Sequence, residues 1–421
     1  MNKVKLGEIL KIKHGFAFKS ENYVDESEYA LVTLANISST NNFQFNKDKT
    51  TFYGASFPND FILKEDDLIM PLTEQVVGLF GNTAFVPKMQ GITFVLNQRV
   101  GKVVPVDDKA DKYYLHYLLA TNLVKDQLEF RASGTRQRNI SPDDVYDVEV
   151  FLPDITTQRK IGKCLYDIEK KVNLNNAIND NLAYQLKDIY NYWFNQFDFP
   201  HNDKHQYKAD GGLMIWNDKI KRKIPAGWEI KSFGELCSLR NGTNYDKSVE
   251  GDKMYSIINV RNISSSDLIL NENDLDEISL PQKQGNKYCV SENSIIVARS
   301  GIPGATRILQ KPSSNIIFCG FIICCTPCDD IYKYYLMFYL KQLEGSAATK
   351  TGGSILQNVS QDTLSNLPVP IPPQSLLREF NQIVSQSLEL IHSNMQENTQ
   401  LLKLRDWLLP MLMNGQATIS D

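Results

Sequence analysis

From Ile161 onward, apolar residues recur at alternating steps of four and three: Leu165, Ile168, Val172, then Leu182, Leu186, Ile189 and Trp193. Asn175 and Asn179 fill the two seam positions between them. A pattern held over more than four heptads predicts a coiled-coil helix rather than a surface one. Asp154 or Thr156 is placed to cap its start, and Pro200 lies beyond its end. The seam recurs 219 residues later at Phe380, Val384, Ser387, Ile391, Leu401, Arg405 and Leu408, with Asn394 and Asn398 at the same two positions. Pro410 is expected to stop this second helix. The 33 residues from Ile161 to Trp193 span roughly 50 Å at ~1.5 Å each. A buried asparagine lowers the stability of a seam but selects the register in which it meets another polar group. Pairing of the two helices would therefore make the four asparagines a register device; otherwise they face solvent at an imperfect seam.

The recurrence extends over the whole chain. Leu6-Gly7-Glu8-Ile9 through His14-Gly15 returns as Phe233-Gly234-Glu235-Leu236 through Asn241-Gly242, and Asn36-Ile37-Ser38 returns as Asn262-Ile263-Ser264. Leu63 to Ile69 matches Val290 to Ile296, Tyr113-Tyr114-Leu115 matches Tyr334-Tyr335-Leu336, and Asn139-Ile140-Ser141 matches Asn358-Val359-Ser360. Each half has short β-branched and aromatic runs, such as Ile92 to Val106 and Asn315 to Thr326, plus one helix-like stretch, Lys112 to Phe130 or Ile331 to Leu343. A Pro-bounded segment and a long helix follow. The expected organisation is a domain over 1–152, a long helix over 153–199, a linker over 200–223, a second domain over 224–371, and a distal helix with tail over 372–421. The linker reads as polar and basic, with Lys204, Lys208, Lys219, Lys221, Arg222 and Lys223 against Asp203, Asp210 and Asp218. The fold class is α+β with a pseudo-twofold internal repeat.

Composition is that of a globular chain: 421 residues, 42% hydrophobic and 22% charged. No apolar run reaches 18 residues and the start lacks an apolar leader, so a cytoplasmic protein without a membrane partner is expected. The seven cysteines are then reduced thiols.

Chemistry is sparse. Gly242 to Ser248 ends like a phosphate loop, but Asp246 replaces its second glycine and would repel phosphate. Asp60 after Pro58 has no Glu-x-Lys downstream to make a nuclease motif. Cys325-Thr326-Pro327-Cys328 offers one zinc-type step without a second pair, and Phe318 to Cys325 reads better as a buried strand. His201 and His205 fall in the linker, where helix geometry is not expected. We expect no catalytic residues, no metal and no cofactor bound by this chain.

Two similar domains joined by stiff helices suit a bipartite linear target, and duplex DNA is one. Candidate contacts are Gln98 and Arg99; Gly134, Thr135, Arg136 and Arg138; Arg261; Arg299 and Ser300; and Gly353, Ser354 and Gln357, the counterpart of the 134–138 group. Glycine-rich turns let backbone amides approach phosphates, and arginine contacts phosphates or guanine edges. A net charge of −4 favours the alternative, a protein-interaction scaffold without nucleic-acid binding.

Gly134-Thr135-Arg136-Gln137-Arg138-Asn139-Ile140-Ser141, then Phe151-Leu152-Pro153, Gln158-Arg159-Lys160-Ile161 and the first long helix, resembles the specificity subunit of Type I restriction-modification systems. The second half repeats the order with Gly353-Ser354, Asn358-Val359-Ser360, Val369 to Pro373 and Arg378-Glu379-Phe380. Leu376-Leu377-Arg378 departs from the Glu-Gln pair common there. The resemblance implies two target-recognition domains and two helices packed antiparallel, reading a split, asymmetric duplex site in a bacterial or archaeal cytoplasm. It also implies two methyltransferase subunits and restriction subunits as partners, which would hold S-adenosylmethionine, ATP and Mg.

Overall fold

The β-branched runs fold as strands in matching places. Thr93–Leu96 and Val100–Pro105 come from the first, Ile316–Phe318 and Ile322–Pro327 from the second. The computed structural model describes residues 2–75, 77–201, 205–245, 251–344 and 359–419. The chain forms two compact units, Met1–Lys171 with Leu401–Asp421, and Val172–Gln400.

In the first unit Val100–Pro105 lies between Leu10–His14 and Leu68–Pro71, all antiparallel, with Ala84–Phe85 at the edge. The second unit repeats this order: Cys237–Asn241, Ile322–Pro327, Ile295–Ala298, Thr306–Ile308. A second sheet in each unit contains one parallel pairing, Tyr29–Val32 with Thr93–Leu96 and Lys253–Ile258 with Ile316–Phe318. A two-stranded ribbon joins the ends of each domain body, Asn2–Lys5 with Glu149–Leu152 and Glu229–Ser232 with Pro368–Ile371. Ile322 through Cys325 are buried in succession, without the alternation of a half-exposed strand, because both faces are covered. The cysteines there pack as small apolar residues and form no disulfide. Burial pushes the Cys325 thiol well up, and does the same to Cys237.

The repeated sequence motifs are local structural devices. Glu8 and Glu235 take the backbone amides of Lys5 and Ser232, at 2.9 and 2.7 Å, so each Gly-Glu step turns the ribbon into the sheet. Asn36 and Asn262 accept the amides of Thr33 and Asn259, at 2.7 and 2.8 Å, and donate to a carbonyl beyond the following loop. Ser141 and Ser360 cap short helices by accepting the amides of Asp144 and Thr363.

Asp154 caps the first long helix, Ile155–Tyr190, by accepting the Thr157 amide at 2.9 Å. In the second unit, Leu186, Tyr190 and Trp193 share a core with Phe380, Val384 and Ile391 of the second long helix, Gln374–Met413. The pairing is antiparallel there, since Asn175 meets Asn398 while the later Asn179 meets the earlier Asn394. In the first unit Ile161 and Leu165 share a core with Leu412 and Met413.

Three expectations are corrected. The second helix runs through Pro410 to Met413: the exposed proline forfeits one amide bond, but burial of Leu412 and Met413 beyond it offsets the loss. Leu388, not Ser387, is fully buried, because the helix packs against the domain body as well as its partner and needs a wider apolar face than a strict seam. The expected linker over 200–223 has local structure of its own. It carries Pro200–His201 paired with His205–Gln206, and a hairpin of Met214–Asn217 with Arg222–Pro225 that reverses at Lys221, φ 51°. Lys112 to Phe130 breaks into Lys112–Leu119 and Asn122–Arg131, where the Thr121 hydroxyl bonds the Leu118 carbonyl. Among the described residues no helix is long and apolar enough to cross a membrane.

Candidate nucleic-acid interface

One backbone pattern gathers the sequence candidates of the first unit. The Leu72 amide donates to the Arg99 carbonyl at 2.9 Å, and the Leu72 carbonyl accepts the Ile140 amide at 3.0 Å. Thr73–Glu74 then pairs with Arg138–Asn139. The Gln98-Arg99 turn and the hairpin over 133–139 therefore flank one short strand. The hairpin is closed by reciprocal Ser133–Asn139 backbone bonds of 3.0 and 2.8 Å and reverses at Gly134, φ 110°. Gln98, Arg99, Gly134, Thr135 and Arg136 are all exposed. Exposed polar side chains on two clamped turns present donors at low ordering cost.

Arg138 is different. Its guanidinium lies 3.0 Å from the Glu74 carboxylate, a side chain only 1% exposed, and bonds the Glu129 carbonyl at 2.8 Å. Glu74 also accepts the amides of Leu79 and Phe80. Arg138 braces the edge from within, and its charge is spent on a buried carboxylate.

The second unit makes the same edge with other residues. The Arg299 amide donates to the Phe321 carbonyl at 2.9 Å and its carbonyl accepts the Val359 amide at 3.0 Å. Arg299 thus occupies the place of Leu72, and Phe321 that of Arg99. The Arg299 guanidinium turns back onto the carbonyls of Gly320 and Val359, at 3.2 and 3.3 Å. Ser300 beside it is half-buried. Arg261 lies elsewhere, on the short helix Val260–Ser264, paired at 2.5 Å with Asp276, which also takes the Asn259 amide group. Gly353, Ser354 and Gln357 lie outside the described residues.

The two glycines Gly15 and Gly242 seat these turns. A Cβ on Gly15 would come within 2.0 Å of the Asn97 carbonyl oxygen, and one on Gly242 within 2.1 Å of that of Cys319. The repeated glycine is therefore a close approach of strand end to turn.

Residues 1–184 and 225–402 match the Type I restriction modification DNA specificity domain. The chain belongs to this family. The MjaIX specificity subunit of Methanocaldococcus jannaschii is 23% identical over 335 residues, covering 77% of this chain and 73% of its own. The HindI specificity subunit of Haemophilus influenzae is 25% identical over 359 residues, 72% and 77% of the two chains. The fold is similar to the crystal structure of the S subunit from M. genitalium, with a TM-score of 0.61 at 14% identity, covering 98% and 95%. The role of such specificity subunits is DNA sequence recognition.

In this family member the four seam asparagines meet one another. Asn175 donates to Asn398 at 2.9 Å and to Glu397 at 2.7 Å, Asn398 donates to Asn176 at 2.8 Å, and Asn394 donates to Asn179 at 2.9 Å. Sequence reasoning missed Asn176 and Glu397, which sit one position off the seam. It also missed Phe321; only the aligned turns Asn97-Gln98-Arg99 and Cys319-Gly320-Phe321 point to it.

Proposed function

We propose that this specificity subunit reads a bipartite, asymmetric duplex DNA site, one half per unit, and that its two long helices set the unspecific gap. It acts without chemistry of its own. Two methyltransferase subunits and the restriction subunits dock on it, and S-adenosylmethionine, ATP and Mg are bound by those partners in the cytoplasm. The observation that carries this reading is the duplicated edge: the same backbone bonds at Leu72 and Arg299 place an exposed turn at the same point of each unit. Arg99 and Arg136 in the first unit have the chemistry to contact phosphates or guanine. The net charge of −4 is compatible, since the partners contribute phosphate-binding surface. The paired asparagines hold one helix register, which a gap-setting element requires.

The test is a matched insertion of seven residues into both long helices, preserving the seam. Seven residues add about 10 Å, close to ~3 base pairs at about 3.4 Å each. Methylome sequencing of cells carrying the modification subunit should show the same two half-sites with a gap longer by that amount. An unchanged gap would refute the ruler.

A further inference from the structure

The two units carry the same edge but arm it differently. In the first, the turn that accepts the Leu72 amide ends on Arg99, which is exposed together with Gln98, while Val77 on the turn beyond Leu72 is also exposed. In the second, the equivalent turn ends on Phe321, whose ring is 61% exposed. The equivalence rests on two independent pairings besides the Arg299 bond. Phe16 bridges Asn97 as Thr243 bridges Cys319, both in parallel, and Ile140 bonds Leu72 as Val359 bonds Arg299.

Arg299, whose amide bonds this turn, does not substitute for the missing arginine. The Arg299 guanidinium is bonded to the carbonyls of Gly320 and Val359. The turn that follows Arg299 instead exposes Ile302, 40% accessible, held by the Ala305 amide on its carbonyl. Ile302 thus stands on the turn that follows Arg299, and Phe321 on the turn whose carbonyl accepts the Arg299 amide. A large apolar ring that is 61% exposed leaves most of its surface uncovered by the described residues.

The major groove offers such a ring one apolar group that projects from the base edges, the C5 methyl of thymine, among hydrogen-bond donors and acceptors and the small C5–H of cytosine. We infer that Phe321, standing where the first unit has Arg99, reads thymine in the half-site of the second unit by covering its C5 methyl. This deepens the proposed function and rests on it.

The experiment uses the full complex with its modification subunits and duplexes carrying the site found by methylome sequencing. Each thymine in either half is replaced in turn by uracil, which removes only the methyl. For the unaltered protein, at least one such replacement in one half should weaken binding roughly fourfold, the worth of about one buried methyl or methylene group. Phe321→Ala should weaken binding to the thymine duplex by a similar factor and abolish the difference between thymine and uracil. Phe321→Leu should keep part of it. Because Phe321 is exposed, the alanine variant is expected to fold, and an unchanged melting temperature checks that.

If the site contains no thymine in the affected half, or uracil binds as well as thymine, the inference is overturned while the bipartite reading stands. If Phe321→Ala weakens thymine and uracil duplexes equally, the ring acts as a wedge between base steps and methyl recognition is refuted. Absence of any bipartite methylated site with the unaltered protein would instead overturn the function on which the inference rests.

Discussion

The side-chain amide of Asn175 donates to the side-chain oxygen of Asn398 across 2.9 Å, at a helix contact where Asn175 is only 1% exposed. Replacing one partner leaves the other's polar group facing an apolar side chain. Asn175→Leu alone should therefore lower stability by about 1–3 kcal/mol. The double variant Asn175→Leu, Asn398→Leu should lose less than the sum of the singles, because neither side-chain amide of the pair is left facing an apolar side chain. A urea-denaturation double-mutant cycle measures the coupling; strict additivity would show that the pair does not act as a unit.

Gly15 and Gly242 each lie where a Cβ would strike a backbone carbonyl. Backbone cannot yield as a flexible side chain does, so Gly15→Ala or Gly242→Ala should each cost about 1–3 kcal/mol by overpacking. Limited proteolysis followed by mass spectrometry should locate the new cleavage in the unit that carries the substitution. Cleavage shared equally by both units would contradict the local origin of the strain.

Arg138 and Arg136 lie two residues apart and should behave in opposite ways. Arg138→Ala strands the buried Glu74 carboxylate and should destabilise by about 3 kcal/mol. Adding Glu74→Gln should recover part of that loss. Arg136→Ala removes an exposed side chain and should change stability by less than about 0.5 kcal/mol, while weakening retention of the complex on duplex DNA. Thermal melts and salt-gradient elution separate the two roles, and equal stability loss in both variants would end the distinction.

Glu344 makes a two-point contact with Arg307, at 3.0 and 3.3 Å, and a 2.9 Å contact with Lys341. Burial opposes its ionisation most strongly, but the bonds from Arg307 and Lys341 together outweigh it and hold the carboxyl below its ordinary value of 4.5. A carboxyl depressed in the folded state contributes fully above its unfolded value, and the contribution is lost as pH falls through the folded one. Glu344→Gln should therefore lower stability at neutral pH and flatten the acid limb of the stability–pH curve below pH 4.5. An acid limb as steep in the variant as in the parent would count against this account.

Periodicity alone determined the two helices, their four asparagines and the duplication, because a seam and its repeat are written in the order of residue types. The caps at Asp154, Ser141 and Ser360 were equally local. Tertiary contact decided the rest. Arg138 and Arg136 look alike in sequence, yet a carboxylate 64 positions earlier, at Glu74, turns one inward. Pro410 reads as a stop, yet the helix continues because apolar residues beyond it find a core. Phe321 came to light only when backbone bonds showed which turn stands where Arg99 does. Sequence patterns report which face a residue must bury; they do not report which distant group waits on the other side.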